Sequence, residues 1–566
     1  MRTVYSVVLG LALVLGAPVT ATQAPGLGRS IDELITRYVP YGFSGAVIIA
    51  KNGDVVLQKA YGEAHVAKGT ANRLDTFFDI GSLTKTFTAA AVLRLETQGK
   101  LSTSDSISKY LDGVPADKSA ITIAQVLSHT SGLPRDSAQI GIADSATRDE
   151  VIRQSLAAPL TSVPGQTYSY SNVGFTLLAA VIERVSGSTW QDYLREQLFK
   201  PAGLSEATFM SPSMASDARV AVGYSGPTGS VLQASAPDVP AWGRGLGATG
   251  VLTPVGDLYK WWLALHKDGV LSTPARTRVF TAPTVGDEPF GWHIEKRSDG
   301  STRIHKGGVV QAFEAQVAHY PESGVVMIFA MNKNINMRAP VWDAIERVIL
   351  AKEYTLPPVI SDVRVPLGDF IGDYQLPTGG KISAWVDSDR LSLGAIGQDA
   401  VNLLAYPDNT NPALHLDTNA MTEKLVQALR KGDVASSPEV PDPANVKRYW
   451  QNAVTQNGAV RAHQVLGTNP RAPGIVQTYV RVEFENSTQV IRFSWSGGKL
   501  GPLGNGIPMP GLTTFNPQSP SAFASFDYRT SQSVRIDFEK DAAGKISSLR
   551  FLSKDGRAVA TAKKIS

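Results

Sequence analysis

The sequence predicts an α/β multidomain chain. An N-terminal antiparallel sheet is flanked by helices and accompanied by an all-helical subdomain. A β-barrel-like domain and a small α+β module follow. Strand-like apolar runs stand at both ends of residues 30–355, with helical runs between them, which is the pattern of a sheet built from the two ends of one unit. Pro357-Pro358 marks a boundary. Beyond it, short alternating segments broken by turn residues read as a barrel.

The elements follow in order. Ser30 to Tyr38 opens a helix, with Ser30 as cap and Glu33 in the capping-box position. Phe43 to Ala50 and Val55 to Gly62 are strands joined by an Asn52-Gly53 hairpin turn. A helix runs from Ser82 to Gln98, where Gly99 stops it. Leu177 to Val185 and Leu258 to Leu265 are helical. Strands return at 291–294, 302–305, 312–320 and 325–331, and Val341 to Lys352 closes the unit as a helix. After the prolines, Phe370 to Leu393 starts the barrel. Helices near 421–431 and 445–454, with strands at 459–466, 477–484 and 489–495, form the α+β module. Residues 501–520 are rich in Gly, Pro and Ser and read as a loop, followed by late strands at 534–538 and 547–551. The resulting division is 356–410 with 506–566 as the β-rich domain and 411–505 as an inserted module.

Composition narrows the function classes. Of 566 residues, 43% are hydrophobic, enough for sizeable cores and too many for wholesale disorder. Lys and Arg total 54 against 50 Asp and Glu, so the net charge of +4 lacks the dense basic face of a nucleic-acid binder. There is no cysteine, which excludes disulfides, thiolate nucleophiles and Cys-ligated metals. The histidines have no zinc-ligand spacing, so no metal and no cofactor is expected. Residues 1–24 read as a signal peptide: Arg2 precedes the apolar run Val7 to Leu15, and small residues follow. Export to the periplasm or the extracellular space is expected, with no membrane span in the mature chain.

Chemistry-bearing residues occur in three places. Ser82-Leu83-Thr84-Lys85 sets Ser and Lys one turn apart at a helix start. A nearby base can take the hydroxyl proton, and the helix N-terminus favours a developing oxyanion. The pattern alone is weak, since Ser106 to Lys109 and Ser496 to Lys499 share it. Tyr170-Ser171-Asn172 adds a possible general base in Tyr170 and an amide in Asn172 able to hold Lys85 and a substrate carbonyl. His305-Lys306-Gly307-Gly308 ends a strand with glycines that permit close backbone approach. Strand alternation is read here as turning Lys306 away from the cleft. His129 reads as a loop-fixing residue, Arg244 and Glu314 as surface ion pairs, and Trp261-Trp262 as helix packing.

These motifs, in this order, resemble those of the serine β-lactamase and penicillin-binding protein superfamily, in particular its class C β-lactamase-related branch of carboxypeptidases, D-aminopeptidases and esterases. Phe78 to Gly81 before the serine, Leu127 to Pro134 and Gly245 to Leu258 resemble further segments of that family. The resemblance covers about residues 30–350 and implies a β-lactamase/transpeptidase-like fold. It also implies a serine hydrolase with Ser82, Lys85, Tyr170 and His305 catalytic, and Asn172, Gly307 and Gly308 binding substrate. The backbone amides of Ser82 and Gly308 would form the oxyanion hole. The substrate implied is a small molecule or peptide. Having His305 where true β-lactamases have lysine implies weak β-lactam hydrolysis. The region after 357 is similar to lipocalin-like domains appended to some relatives, and any partner of it is unknown. The alternative reading is a catalytically silent protein that binds cell-wall peptides.

Overall fold

The computed structural model describes residues 26–566, apart from 226–232, 283–284, 336, 361–362, 388–389, 406–412, 436, 473, 506–512, 528–531 and 554. Residues 1–24, read from the sequence as a signal peptide, lie outside the described residues. The chain divides into two compact units, with the break between Lys352 and Glu353.

In the first unit, helix α1 (Leu27–Tyr38) leads into strands β1 (Gly45–Lys51) and β2 (Asp54–Tyr61). Asn52 and Gly53 both take positive φ, as the tight hairpin between those strands requires. Helices α2 (Thr84–Thr97), α3 (Asn172–Ser186) and α4 (Val255–Leu265) follow. The chain then returns through β3 (His293–Lys296), β4 (Thr302–Val310), β5 (Phe313–Tyr320) and β6 (Val325–Met331) to α5 (Arg338–Ile349). The sheet order is β3-β4-β5-β6-β1-β2. Both ends of the unit therefore meet at its centre, where β1 pairs antiparallel with β6. Central β6 is buried along its whole length. Helix α2 is buried on nearly every face because α3 and α4 pack around it. Phe87 stacks on Trp261 at 4.2 Å, so the Trp pair serves helix packing. A helix buried all round, rather than an amphipathic one, fixes the turn that carries Ser82 against a rigid floor.

The second unit is described by itself. Strands β7 (Gly372–Gln375), β8 (Lys381–Asp387) and β9 (Arg390–Ile396) come first. Helices α6 (Gln398–Ala405), α7 (Ala413–Lys431) and α8 (Pro443–Asn457) follow. Strands β10 (Val460–Ala472), β11 (Ile475–Phe484), β12 (Thr488–Ser496) and β13 (Lys499–Asn505) form a separate sheet. The chain then runs through β14 (Thr513–Pro517), β15 (Ala522–Asp527), β16 (Gln532–Lys540), β17 (Ile546–Leu552) and β18 (Ala558–Lys564). A closed barrel joins β7-β8-β9-β14-β15-β16-β17-β18, and β7 pairs with β18 to complete it. Its interior is filled by side chains such as Phe370, Tyr374, Phe523 and Phe538. The stretch 501–520, expected to be a loop, instead contributes the end of β13, all of β14 and the turn that follows. Helix α6 was also not expected. Glycine and proline masked the strand signal because β14 ends at Pro517, where a missing donor is tolerated. Among the described residues no helix is long and apolar enough to cross a membrane.

Candidate active site

Ser82 lies in a short 3-10 turn, Gly81–Leu83, that feeds α2. Three local contacts hold this turn. The buried Asp79 carboxylate accepts the Gly81 N–H at 2.9 Å. Thr84 Oγ1 accepts the Val251 N–H at 3.2 Å, and Thr88 Oγ1 donates to Gly247 O at 2.7 Å. Gly81 has φ 51°, and a Cβ there would meet Val309 N at 2.9 Å. Burial with little compensation pushes the Asp79 carboxyl up to about 7.

Lys85 is wholly buried. Its Nζ donates to Ser82 Oγ at 3.1 Å and to Ala248 O at 3.0 Å. Tyr170 OH reaches the same Oγ at 2.9 Å. Ser82 thus has two basic partners for its single hydroxyl proton. Burial lowers the Lys85 pKa, offset in part by attraction to Tyr170. For Tyr170, burial pushes the phenol up, but the charges of Lys85 and Lys306 and the bonds to Lys85 and Ser82 outweigh it, leaving it below its ordinary value.

The loop carrying Tyr170 is fixed by His129. His129 is completely buried with φ 56°. Its Nδ1 accepts the Ser171 N–H at 3.0 Å, and its carbonyl accepts the Ser169 N–H at 2.7 Å. Its ring packs 4.3 Å from that of Tyr170. Burial pushes His129 down to about 4, so it is neutral with Nε2 protonated. Ser171 then caps α3 by accepting the Gly174 N–H at 2.8 Å. Asn172 does not hold Lys85 as expected: its amide donates to Asp136. Its Oδ1 is buried without a hydrogen-bond partner among the described residues.

The expectation for His305 and Lys306 is reversed. Alternation along β4 puts Ile304, Lys306 and Gly308 on the buried face. Lys306 is 2% exposed, with its Nζ 5.3 Å from the centre of the Tyr170 ring. His305 points to the opposite face, where it stacks on His293 at 5.0 Å and packs on Trp342 at 4.8 Å. Burial, then repulsion from His293 and nearby cations, pushes the His305 pKa far down, so it stays neutral across the neutral range. Lys306 is thus the cation beside Tyr170, and His305 is a packing residue. Gly307 and Gly308 are required by space. A Cβ on Gly308 would lie 1.8 Å from Ile80 O, which brings β4 against the Ser82 turn. One on Gly307 would strike Arg338 at 2.6 Å.

Glu288 was not among the residues singled out by motif or spacing. It is fully buried in the loop before β3 and forms an ion pair with Lys306. Tyr168 OH donates to it at 2.9 Å, His293 Nε2 lies 3.0 Å away, and His129 Nε2 3.3 Å away. Burial opposes its ionisation, but the Lys306 charge and the histidine bonds hold it well below the ordinary carboxylate range. Lys306 is kept charged in turn by Glu288, against its own burial. No motif marks Glu288, because its role depends on contacts across sequence separations that spacing does not encode. Lys306 did leave a signal that was not used: Ile304, two residues earlier, is a core residue on the same face of β4.

The other expected side chains lie elsewhere. Arg244 pairs with Asp144 at 3.2 Å and with Asp238. Glu314 is not the surface ion pair expected: it is buried, it accepts the Arg338 N–H at 2.9 Å, and burial pushes its carboxyl up to about 7. The two other Ser-x-x-Lys matches are structural. Ser106 caps a 3-10 turn, and Ser496 faces Lys499 across a hairpin. Among the described residues there is no group of acidic and histidine side chains able to hold a metal.

A mixed α/β unit with a serine held between a buried lysine and a tyrosine defines a serine hydrolase of the β-lactamase and penicillin-binding protein superfamily. The Beta-lactamase family model matches residues 31–350, and the chain belongs to that family. Penicillin-binding protein 4* of Bacillus subtilis is 24% identical over 63% of this chain and 84% of its own length. The putative penicillin-binding protein PbpX of the same organism is 30% identical over 56% of this chain and 78% of its own. Among solved structures, the octameric penicillin-binding protein homologue from Pyrococcus abyssi superposes with a TM-score of 0.53 at 20% identity. That match covers 84% of this chain and 97% of the homologue, so the likeness of fold extends past the family match. A class C β-lactamase gives 0.50 at 20% identity over 57% of this chain and 96% of its own.

Proposed function

We propose that the protein is an exported hydrolase that cleaves an ester or amide, from a D-amino-acid peptide, a β-lactam-like compound or a small ester, through an acyl-enzyme on Ser82. The observation that carries this reading is the convergence of Tyr170 OH and Lys85 Nζ on Ser82 Oγ, at 2.9 and 3.1 Å. Tyr170, acidified by its cationic neighbours, takes the serine proton as Oγ adds to the substrate carbonyl carbon. Lys85 shares that proton work, since groups this close titrate together. The oxyanion is met by the Ser82 amide and the β4 backbone at Gly308–Val309, which the two glycine contacts hold against the serine turn. Tyr170 then returns the proton to the departing alcohol or amine, and water releases the acyl group. The similarity to penicillin-binding proteins of Bacillus subtilis supports a carbonyl substrate of this class.

The test is a panel of a chromogenic cephalosporin, short-chain p-nitrophenyl esters and D-amino-acid amides, run on the wild type and Ser82→Ala. Saturable turnover of at least one class is expected, reduced by ~10³ or more in the variant. No turnover of any class, with the fold intact, would favour the silent peptide-binding alternative.

A further inference from the structure

Glu288 is a buried charged group that the proton transfer at Ser82 does not use, and its contacts converge on one loop. The segment that carries it is seated against the site from two sides. Gly286, at φ 78°, lies so close to Tyr168 that a Cβ would stand 2.7 Å from its Cδ2, and a Cβ on Gly291 would stand 3.1 Å from Lys85 O. Asp287 O accepts the Ile294 N–H at 2.7 Å, which ties the segment to β3. From this seat the carboxylate accepts Tyr168 OH at 2.9 Å, lies 3.0 Å from His293 Nε2 and pairs with Lys306. Lys306 Nζ and Lys85 Nζ stand 5.3 and 5.0 Å from the centre of the Tyr170 ring.

His129 carries a second line of contact. Its Nδ1 accepts the Ser171 N–H, so the proton of the neutral ring is on Nε2. Nε2 is buried, Glu288 Oε1 lies 3.3 Å from it, and no other acceptor reaches it among the described residues. A carboxylate there favours the tautomer with its hydrogen on Nε2. The other tautomer would set an Nδ1–H against the Ser171 N–H, two donors with no acceptor between them. The His129 carbonyl meanwhile accepts the Ser169 N–H at 2.7 Å. Glu288 therefore acts on the chain before Tyr170 through Tyr168, and on the chain after it through His129 and Ser171. A carboxylate buried only to balance Lys306 needs one partner. This one has four, and two of them hold the loop of Tyr170.

We propose that Glu288 is the positioning residue for Tyr170: it selects the His129 tautomer and anchors Tyr168, and so keeps the Tyr170 oxygen 2.9 Å from Ser82 Oγ. The inference rests on the reading of Tyr170 as the group that takes the serine proton. Its test is a double-mutant cycle in the full chain, with Glu288→Gln and Tyr170→Phe singly and together, acylated by p-nitrophenyl butyrate in single turnovers. Unfolding midpoints are recorded beside the rates. Glu288→Gln should slow acylation at saturation by ~10–10², the scale for an outer residue that orients a working one, with KM changed by no more than about twofold. In the Tyr170→Phe background the same change should cost less than about threefold, because no hydroxyl is left to place. Tyr168→Phe removes one arm and no charge, and it carries the same cycle should Glu288→Gln fail to fold. In it the plateau of the pH profile should fall while the acidic limb, set by the cations near Tyr170, stays in place. No loss in the folded variants, or a loss as large in Tyr170→Phe as in the wild type, would overturn the positioning role alone. A wild type that is not acylated, or a Tyr170→Phe acylated as fast as the wild type, would overturn the reading of Tyr170 and this inference with it.

Discussion

Tyr170→Phe is expected to slow acylation by ~10²–10⁴, the range for removing a general acid–base group, while leaving the fold intact. The phenyl ring keeps its packing against His129, 4.3 Å away. What is lost is one oxygen, 2.9 Å from Ser82 Oγ. The measurement is the single-turnover acylation rate with the best substrate of the panel, beside the unfolding midpoint. An unchanged rate in a folded variant would remove Tyr170 from the proton path. It would leave the work to Lys85, whose Nζ also touches Ser82.

Removing Lys306 is expected to have the next largest effect, with a distinct signature. Lys306 is one of two cations that hold the Tyr170 phenol below its ordinary value. Without it, the phenol titrates at higher pH. A smaller fraction is then phenolate at neutral pH, so kcat/KM falls there and its acidic limb moves toward alkali. Raising the pH should restore part of the loss. Lys306→Ala alone would strand the buried Glu288 carboxylate, at a cost of ~3–5 kcal/mol. Lys306→Met with Glu288→Gln removes the pair together and keeps the test on chemistry. His305→Ala should leave the limb in place, since that ring faces Trp342 on the other side of β4. A limb that moved with His305 and not with Lys306 would reverse the assignment.

The contrast between these neighbouring residues shows where sequence reading stopped. Ser82, Lys85 and Tyr170 were legible because helix geometry fixes the first pair and the tyrosine stands just before a helix. The site's charge was not, because a one-residue change of register on a strand exchanges its faces. Matching the third motif at His305 placed that residue in the cleft and, by alternation, turned Lys306 away. Reading the faces from Ile304 would have favoured Lys306. Asn172 was identified as a polar group, yet its partner, Asp136, lies on a separate loop. Glu288 left no trace in spacing, since its four partners come from three separate stretches of chain. In the C-terminal unit, alternation and turn residues marked most strands. The short strand Thr513–Pro517 was hidden among glycines and prolines.

The central claim is that Ser82 is the nucleophile, and covalent capture tests it most directly. The protein is treated with a fluorophosphonate and, separately, with a fluorescent penicillin. Intact mass is then recorded, and the modified peptide is sequenced. A single adduct on Ser82, missing from Ser82→Ala, is the expected result for at least one reagent. Labelling of equal extent in Ser82→Ala, or an adduct mapped to another residue, would contradict it.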